Sequence, residues 1–385
     1  MKKFISVIMS VISAVMIIIT PVLADEPEIQ APSAILMEAS TGQIIYEKNA
    51  DESLHPASIT KIMTLLLIFD ALESGKISLE DTVTVSEYAA SMGGSQVFLE
   101  AGETQTVETL IKCIAIASAN DACVAMAEYI ASSESAFVDK MNERAAGLGM
   151  SNTHFVNCCG LDADGHMTTA RDVALMSREL ITKHPRIHTY STIWMDTITH
   201  VTRRGESEFT LSNTNKLLKQ YEWATGLKTG STSLAKFCLS ATANRNDIEL
   251  ISVVMASPDG KTRVSDSITL LNYGYGICSL YKDDHMPSIT PVPIKNGIKD
   301  TIEAEYEKDF SYLFMGSHDV SLITKETEYL DNLTAPIEEG SVIGQLVYKY
   351  DGKTLGTVDI LASESVDEAS YGDYLGKLWK VFLGG

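Results

Sequence analysis

Three short groupings of nucleophilic and basic side chains stand out along this 385-residue chain. The first is Ser58-Ile59-Thr60-Lys61. A serine hydroxyl is a poor nucleophile until a neighbouring base takes its proton. Residues three apart share a face at the start of a helix, which brings the Lys61 amine to the Ser58 hydroxyl. The positive end of that helix favours an uncharged amine and steadies a developing oxyanion. Alone the pattern says little, because S-x-x-K recurs at Ser233–Lys236 and Ser279–Lys282, and a helix cap followed by a solvated lysine accounts for any one of them. The second grouping is Ser118-Ala119-Asn120, the single S-x-N of the chain, and the third is Lys228-Thr229-Gly230, the single K-T-G. Taken singly these read as a polar interhelical loop and a turn with a surface lysine. Their order and their settings give them joint weight.

Those settings follow from periodicity. Ile62, Leu65, Leu66 and Phe69 recur at helical spacing between Ser58 and Glu73, with Gly75 just beyond, so Ser58 opens a helix. Residues 106–150 read as apolar helical runs ending at Gly147-Leu148-Gly149, and Ser118–Asn120 falls between two of them, where a short connection can face a cleft. Residues 225–257 turn to strand character, with Phe237-Cys238-Leu239 and Ile248–Met255 flanking the turn residues Asn244–Asp247. Lys228 thus starts a strand, and a sheet edge can hold an extended peptide by main-chain hydrogen bonds. Gly230 would let that peptide approach, Thr229 offers a hydroxyl and Lys228 a positive charge. Upstream, Ala34–Glu38 and Ile44–Tyr46 form a hairpin across Ser40-Thr41-Gly42. A boundary is expected near 282: Pro287, Pro291 and Pro293 lead into short alternating segments with turns at Asn296-Gly297, Glu339-Gly340 and Asp351-Gly352, a small β-rich domain over 287–363.

Composition bounds the setting. The chain is 45% hydrophobic and 21% charged, with a net charge of −21, enough apolar material for sizeable cores. So acidic a chain repels phosphate backbones, which argues against a nucleic-acid partner, and it gains nothing from an anionic lipid surface except through a local segment. Lys2 and Lys3 precede an apolar stretch from Phe4 to Leu23, and Pro21 with Val22-Leu23-Ala24 has the look of a signal-peptide cleavage site, giving residues 1–24 as a secretory leader; an uncleaved anchor is the competing reading. The protein is therefore expected outside the cytoplasm. Cys113, Cys123, Cys158, Cys159, Cys238 and Cys278 lack C-x-x-C or metal-like spacing and read as small buried apolar residues; adjacent Cys158 and Cys159 would be strained if joined.

S-x-x-K, S-x-N and K-T-G in this order resemble the motifs of the serine penicillin-recognising enzymes. The surroundings resemble the low-molecular-mass penicillin-binding proteins, the serine-type D-alanyl-D-alanine carboxypeptidases: Pro56-Ala57-Ser58, Ala117–Ala122, Gly226–Thr232, Met141-Asn142 to Met150, Asn152–Phe155, Asn213–Leu218 and Ala241–Arg245. The resemblance covers most of residues 30–280 and, more loosely, the remainder. It implies an α/β (α+β) transpeptidase-type domain of the β-lactamase fold over 25–282, the β-domain, and a terminal amphipathic helix over 366–385. It implies no metal or organic cofactor. Ser58 would attack the penultimate D-Ala carbonyl of a peptidoglycan stem pentapeptide with Lys61 as base, and Ser118 and Asn120 would relay the proton and position the peptide. Backbone amides of Ser58 and Ser231 would form the oxyanion hole. Lys228, Thr229, Gly230 and Arg263, the last 35 residues beyond the K-T-G lysine, would bind the substrate and its terminal carboxylate. β-Lactam antibiotics would acylate Ser58. The run Cys158-Cys159 departs from what the family leads one to expect, and Gly93-Gly94-Ser95-Gln96 resembles a family loop beside the active site but equally a plain turn.

Three alternatives remain at this point. A β-lactamase shares the motifs, yet Glu208-Phe209-Thr210-Leu211-Ser212 only approaches the E-x-x-L-N of class A enzymes. An endopeptidase cutting D-amino-acid cross-links is separated poorly by sequence. An inactive cell-wall-binding protein is disfavoured by the intact Ser58, Lys61, Ser118, Asn120 and Lys228. The terminal residues Leu375, Leu378, Trp379 and Phe382, with Lys377 and Lys380 between them, read either as a helix packed on its own β-domain or as one lying in the outer face of the membrane, and the family tips the reading to the membrane. The segment is too short to span.

Overall fold

The computed structural model describes residues 26–202 and 204–383; the expected leader, residues 1–24, lies outside them. The larger domain is built on a five-stranded antiparallel sheet: β1 (Ser33–Glu38), β2 (Ile44–Lys48), β3 (Ala224–Thr232), β4 (Lys236–Arg245) and β5 (Ile248–Ser257), in the order β2-β1-β5-β4-β3. Every residue of β1 is buried, and the period-2 alternation of a strand explains how both its faces are used. Ile35 and Met37 face one core, shared with helices α1 (Lys61–Glu73), α2 (Val107–Ala117), α3 (Asn120–Ala131), α4 (Glu134–Gly147) and α5 (Ala170–Lys183). Ala34 and Leu36 face a second core, closed by Val264, Leu270 and Leu271 of α6 (Gly260–Ile277). A sheet covered by helices on both faces selects near-continuous apolar strands, which is why Ile248–Met255 reads as a run and not as an alternation.

The helical expectation for 58–73 needs one adjustment. Ala57–Thr60 forms a 3₁₀ turn and the α-helix starts at Lys61. In a 3₁₀ turn residues i and i+3 eclipse, so the tighter winding places Lys61 over Ser58 more directly than an α-helix would. The other two S-x-x-K matches have no such geometry: Ser233 lies in the β3–β4 turn, and Ser279 and Lys282 lie on a strand. An antiparallel hairpin, Met195–Thr202 with Gly205–Ser212, carries Glu208 exposed to solvent.

The smaller domain holds a four-stranded antiparallel sheet in which Ala304–Tyr306 is followed by β10 (Lys353–Ala362), β9 (Val342–Tyr350) and β8 (Ile323–Tyr329). Strand β6 (Cys278–Lys282) lies within the 25–282 segment yet pairs with β7 (Ser311–Met315), across the boundary expected near 282. Asp283 fixes this junction, accepting hydrogen bonds from Lys325 Nζ at 2.6 Å and Tyr348 Oη at 2.7 Å, while Phe310 stacks on the Tyr348 ring. Helix α7 (Tyr371–Leu383) begins within the expected 366–385 segment. Ser370 and Asp373 cap it reciprocally. Lys377 bonds Gly297 O and Asp300 on the β-domain; Lys380 lies outside the described side chains. Leu378, Trp379 and Phe382 face away, 66%, 68% and 88% exposed. Among the described residues no helix is long and apolar enough to cross a membrane.

Candidate active site

The first motif is set by backbone strain. Ala57 takes a positive φ of 49°, a conformation unfavourable to a side chain, and this presents Ser58 half-buried at the head of α1. Gly160 makes the turn possible from the other side: with φ +85°, a Cβ there would lie 1.8 Å from Ala57 O. Gly230 on β3 does the same from the sheet, where a Cβ would lie 2.9 Å from Pro56 O and 3.0 Å from Ser58 N.

Lys61 is fully buried, and its amine has three neighbours: Ser58 Oγ at 2.9 Å, Asn120 Oδ1 at 2.7 Å and Cys159 O at 2.5 Å. The amide and peptide oxygens only accept hydrogen bonds. In its neutral form such an amine has two N–H bonds and a lone pair, so with Asn120 and Cys159 satisfied the lone pair is available to the Ser58 hydroxyl. That is the geometry of a general base.

The second motif is held by the ends of two helices. Ser118 caps α2 in the left-handed region, φ 62°, and Asn120 opens α3. Asn120 donates from Nδ2 to Gly93 O at 2.6 Å and from its main chain to Ser95 O at 2.7 Å, so the Gly93–Gln96 segment does adjoin the site. The third motif closes the group. Lys228, buried on β3, donates to Ser118 Oγ at 2.8 Å and Thr229 O at 3.0 Å. Burial holds its amine well below the ordinary lysine range, and its hydrogen bond fixes the Ser118 hydroxyl in place. Thr229 is bonded to Thr214 through their hydroxyls at 2.7 Å. Ser231 is exposed at the end of the strand, with no side-chain hydrogen bond among the described residues. Arg263 reaches β3 from α6, its guanidinium donating to Gly230 O at 3.0 Å and Cys238 O at 3.2 Å, and its buried Nε has no partner.

Three chain segments far apart in sequence thus converge on one serine. The family model for D-alanyl-D-alanine carboxypeptidase matches residues 20–259, and that for the C-terminal domain of penicillin-binding protein 5 matches residues 278–368. The chain belongs to the D-alanyl-D-alanine carboxypeptidase family. It is 42% identical over 349 residues to the Bacillus subtilis D-alanyl-D-alanine carboxypeptidase DacF, an alignment covering 90% of this chain and 88% of that one. It is 33% identical to Escherichia coli DacC, over 92% of this chain and 88% of the relative. Penicillin-binding protein 5 of Haemophilus influenzae superimposes with a TM-score of 0.75 at 30% identity, covering 89% of this chain and 99% of that structure. This carboxypeptidase family has the mixed fold and the second, β-rich domain expected from sequence.

Several residues of this family member's site escape sequence reasoning. Asn157 is one: its Oδ1 accepts main-chain hydrogen bonds from Cys159, Gly160 and Leu161 at 3.2, 2.7 and 3.1 Å, folding the loop that offers Cys159 O to Lys61. Cys158 O accepts from Thr64 Oγ1 at 2.5 Å on the same helix. The adjacent cysteines therefore serve through their carbonyls, and all six cysteines are buried and free. An Asn three residues before a Gly was the available signal, of a turn and no more. Among the described residues one group, Asp70, Glu73 and His184, has metal-like spacing. It sits at the far end of α1, where Asp70 already accepts from Arg144 at 3.0 Å and Lys183 at 3.2 Å, cations that oppose a metal ion.

His166 supports the first motif and carries a pH signature. Its Nδ1 accepts from Val156 N at 2.9 Å, so Nε2 bears the proton and donates to Thr60 Oγ1 at 2.8 Å. Burial, followed by the nearby His55 and His154, lowers its pKa from 6.5 to about 4. Between those values the unfolded chain holds a proton that the native one lacks. Stability therefore rises with pH across this window and is lost as pH falls through it, by roughly 3 kcal/mol. Urea midpoints between pH 4 and 7 are expected to show this slope in the native protein and to lose much of it in His166→Gln.

Proposed function

We propose that this carboxypeptidase removes the terminal D-Ala from peptidoglycan stem pentapeptides through an acyl-enzyme on Ser58. The observation that carries the reading is the buried Lys61 Nζ, 2.9 Å from Ser58 Oγ with Asn120 Oδ1 and Cys159 O as its other two neighbours. Ser58 Oγ attacks the penultimate D-Ala carbonyl as Lys61 Nζ takes its proton. The oxyanion is met by the main-chain N–H groups of Ser58 and Ser231, consistent with Gly230 lying against Ser58 N. The peptide C–N bond breaks as the proton that Lys61 took from Ser58 passes by way of Ser118, held by Lys228 across their 2.8 Å hydrogen bond, to the leaving D-Ala amine. Water then adds to the Ser58 ester as Lys61, a free base again, takes its proton, and collapse returns that proton to Ser58 Oγ and frees the shortened peptide. Arg263 supplies positive charge, and Lys228 and Thr229 hydrogen-bond donors, for the terminal carboxylate, and Gly230 leaves room for the substrate backbone. β-Lactams enter by the same attack and acylate Ser58. Glu208 is exposed on its hairpin, which leaves the deacylating glutamate of a class A β-lactamase without a counterpart there.

Incubation with a D-Ala-D-Ala-terminated pentapeptide tests the reaction. One equivalent of D-Ala per tetrapeptide formed is expected, with a cross-linked dimer left uncut; cleavage of the dimer at a comparable rate would favour the endopeptidase instead.

We further propose that the protein is secreted and rests on the outer face of the cell membrane. The leader-like sequence of residues 1–24 supports export. Helix α7 supports contact with lipid: its polar side is engaged with the β-domain through Lys377, while Leu378, Trp379 and Phe382 are presented outward. Burying those side chains in the interface contributes about 1.5–3 kcal/mol each. Deleting residues 371–385 is expected to leave D-Ala release unchanged and to abolish co-sedimentation with lipid vesicles.

A further inference from the structure

We infer that Thr214 is a positioning residue, which fixes the direction in which Thr229 offers its hydroxyl proton to the terminal carboxylate of the substrate. The inference rests on the proposed carboxylate-binding role of Thr229. The two Oγ1 atoms are 2.7 Å apart. Between them they hold two protons, and one lies in their mutual bond. If Thr229 donates to Thr214, it has nothing left for an anion. If Thr214 donates to Thr229, the Thr229 proton is free to be given away. A carboxylate only accepts, so substrate binding selects the second arrangement, and each bond in the chain from Thr214 through Thr229 to the carboxylate strengthens the next.

The loop bearing Thr214 is built to hold that hydroxyl still. Asn213 Nδ2 donates to Ser191 O at 3.2 Å and Ile193 O at 2.8 Å, and its main-chain N–H to Trp194 O at 2.9 Å. Asn213 Oδ1 then accepts from Asn215 N at 2.8 Å, and Asn215 Oδ1 from Leu217 N at 3.1 Å. Thr214 itself donates its N–H to Ile116 O at 3.2 Å. Ile116 stands two residues before Ser118 on α2, so Thr214 ties the element carrying the second motif to the strand carrying the third. Its hydroxyl has no other hydrogen-bond partner among the described residues, and Thr229 is its single engagement.

Thr214→Val keeps the shape and removes the donor. The expected result is a KM for the D-Ala-D-Ala peptide about 10-fold higher, with kcat within about twofold, and near-native values for Thr214→Ser. The same substitution should have no effect on a peptide whose terminal carboxylate is amidated. It should also add nothing when placed on Thr229→Val, because the proton it directs is then gone. Thr214→Ala serves equally if the valine variant folds poorly. An unchanged KM in Thr214→Val, an equal effect on the amidated peptide, or additivity with Thr229→Val would overturn the inference. A Thr229→Val enzyme with unaltered KM would sink the carboxylate role of Thr229 first, and the role of Thr214 with it.

Discussion

Ser58→Ala is expected to lower kcat/KM for D-Ala release by about 10⁴-fold or more, and to give no penicilloyl adduct in the intact mass spectrum after exposure to benzylpenicillin. The native enzyme should show a lasting adduct, one per chain. The size of the effect follows from the wiring of the site. Lys61 can relieve no other hydroxyl of its proton, because its remaining two neighbours are the acceptor-only oxygens of Asn120 and Cys159. Ser118, the other serine in the group, is joined to Lys228. With Ser58 Oγ removed, the oxyanion donors and the carboxylate site persist, so substrate binding should survive while chemistry does not. An adduct that still forms in Ser58→Ala would move the nucleophile elsewhere. Penicillin consumed without any adduct on the native enzyme would indicate a β-lactamase.

The motif residues were legible because each carries its chemistry in its type and its setting in the local periodicity. Ser58 and Lys61 follow from their spacing at a helix start taken together with the other two motifs, and the finer fact that they sit on a 3₁₀ turn changes only how closely they are superposed. Lys228 follows from the strand that carries it, although that strand begins at Ala224 and places the lysine mid-strand and not at its start. What the sequence conceals is whatever acts through the main chain or through tertiary contact. Cys159 supplies a carbonyl, which any residue carries, so its identity gives no hint that it holds Lys61. Asn157 organises that carbonyl through three main-chain donors that exist only after the loop has folded. Thr214 meets Thr229 because a loop after one hairpin crosses to the end of α2, a long-range placement without a local pattern. The same holds for the pairing of β6 with β7, which joins residues on opposite sides of a proline-rich stretch.

Gly160→Ala is expected to cost more than any other single methyl group added near the site, about 100-fold in the rate of acylation by benzylpenicillin together with a marked fall in Tm. Two effects combine. An alanine at φ +85° carries backbone strain of roughly 1–2 kcal/mol. Its Cβ would also lie 1.8 Å from Ala57 O, 2.4 Å from Ala57 C and 2.9 Å from Thr60 Oγ1, so backbone must move. The atoms displaced belong to the turn that aims Ser58, or else to the loop that offers Cys159 O to Lys61. Either retreat opens the Ser58–Lys61 geometry, and a misplacement of about 1 Å costs on the order of 10² in rate. Gly165→Ala separates the two effects. Gly165 has a similar φ of +80°, but nothing lies within 4 Å of its added Cβ. That variant should lose only the stability attributable to strain and should acylate at the native rate. If Gly160→Ala acylated normally as well, the Ser58 turn would have to be held by α1 and Gly230 alone, with the Asn157–Leu161 loop adjusting around it.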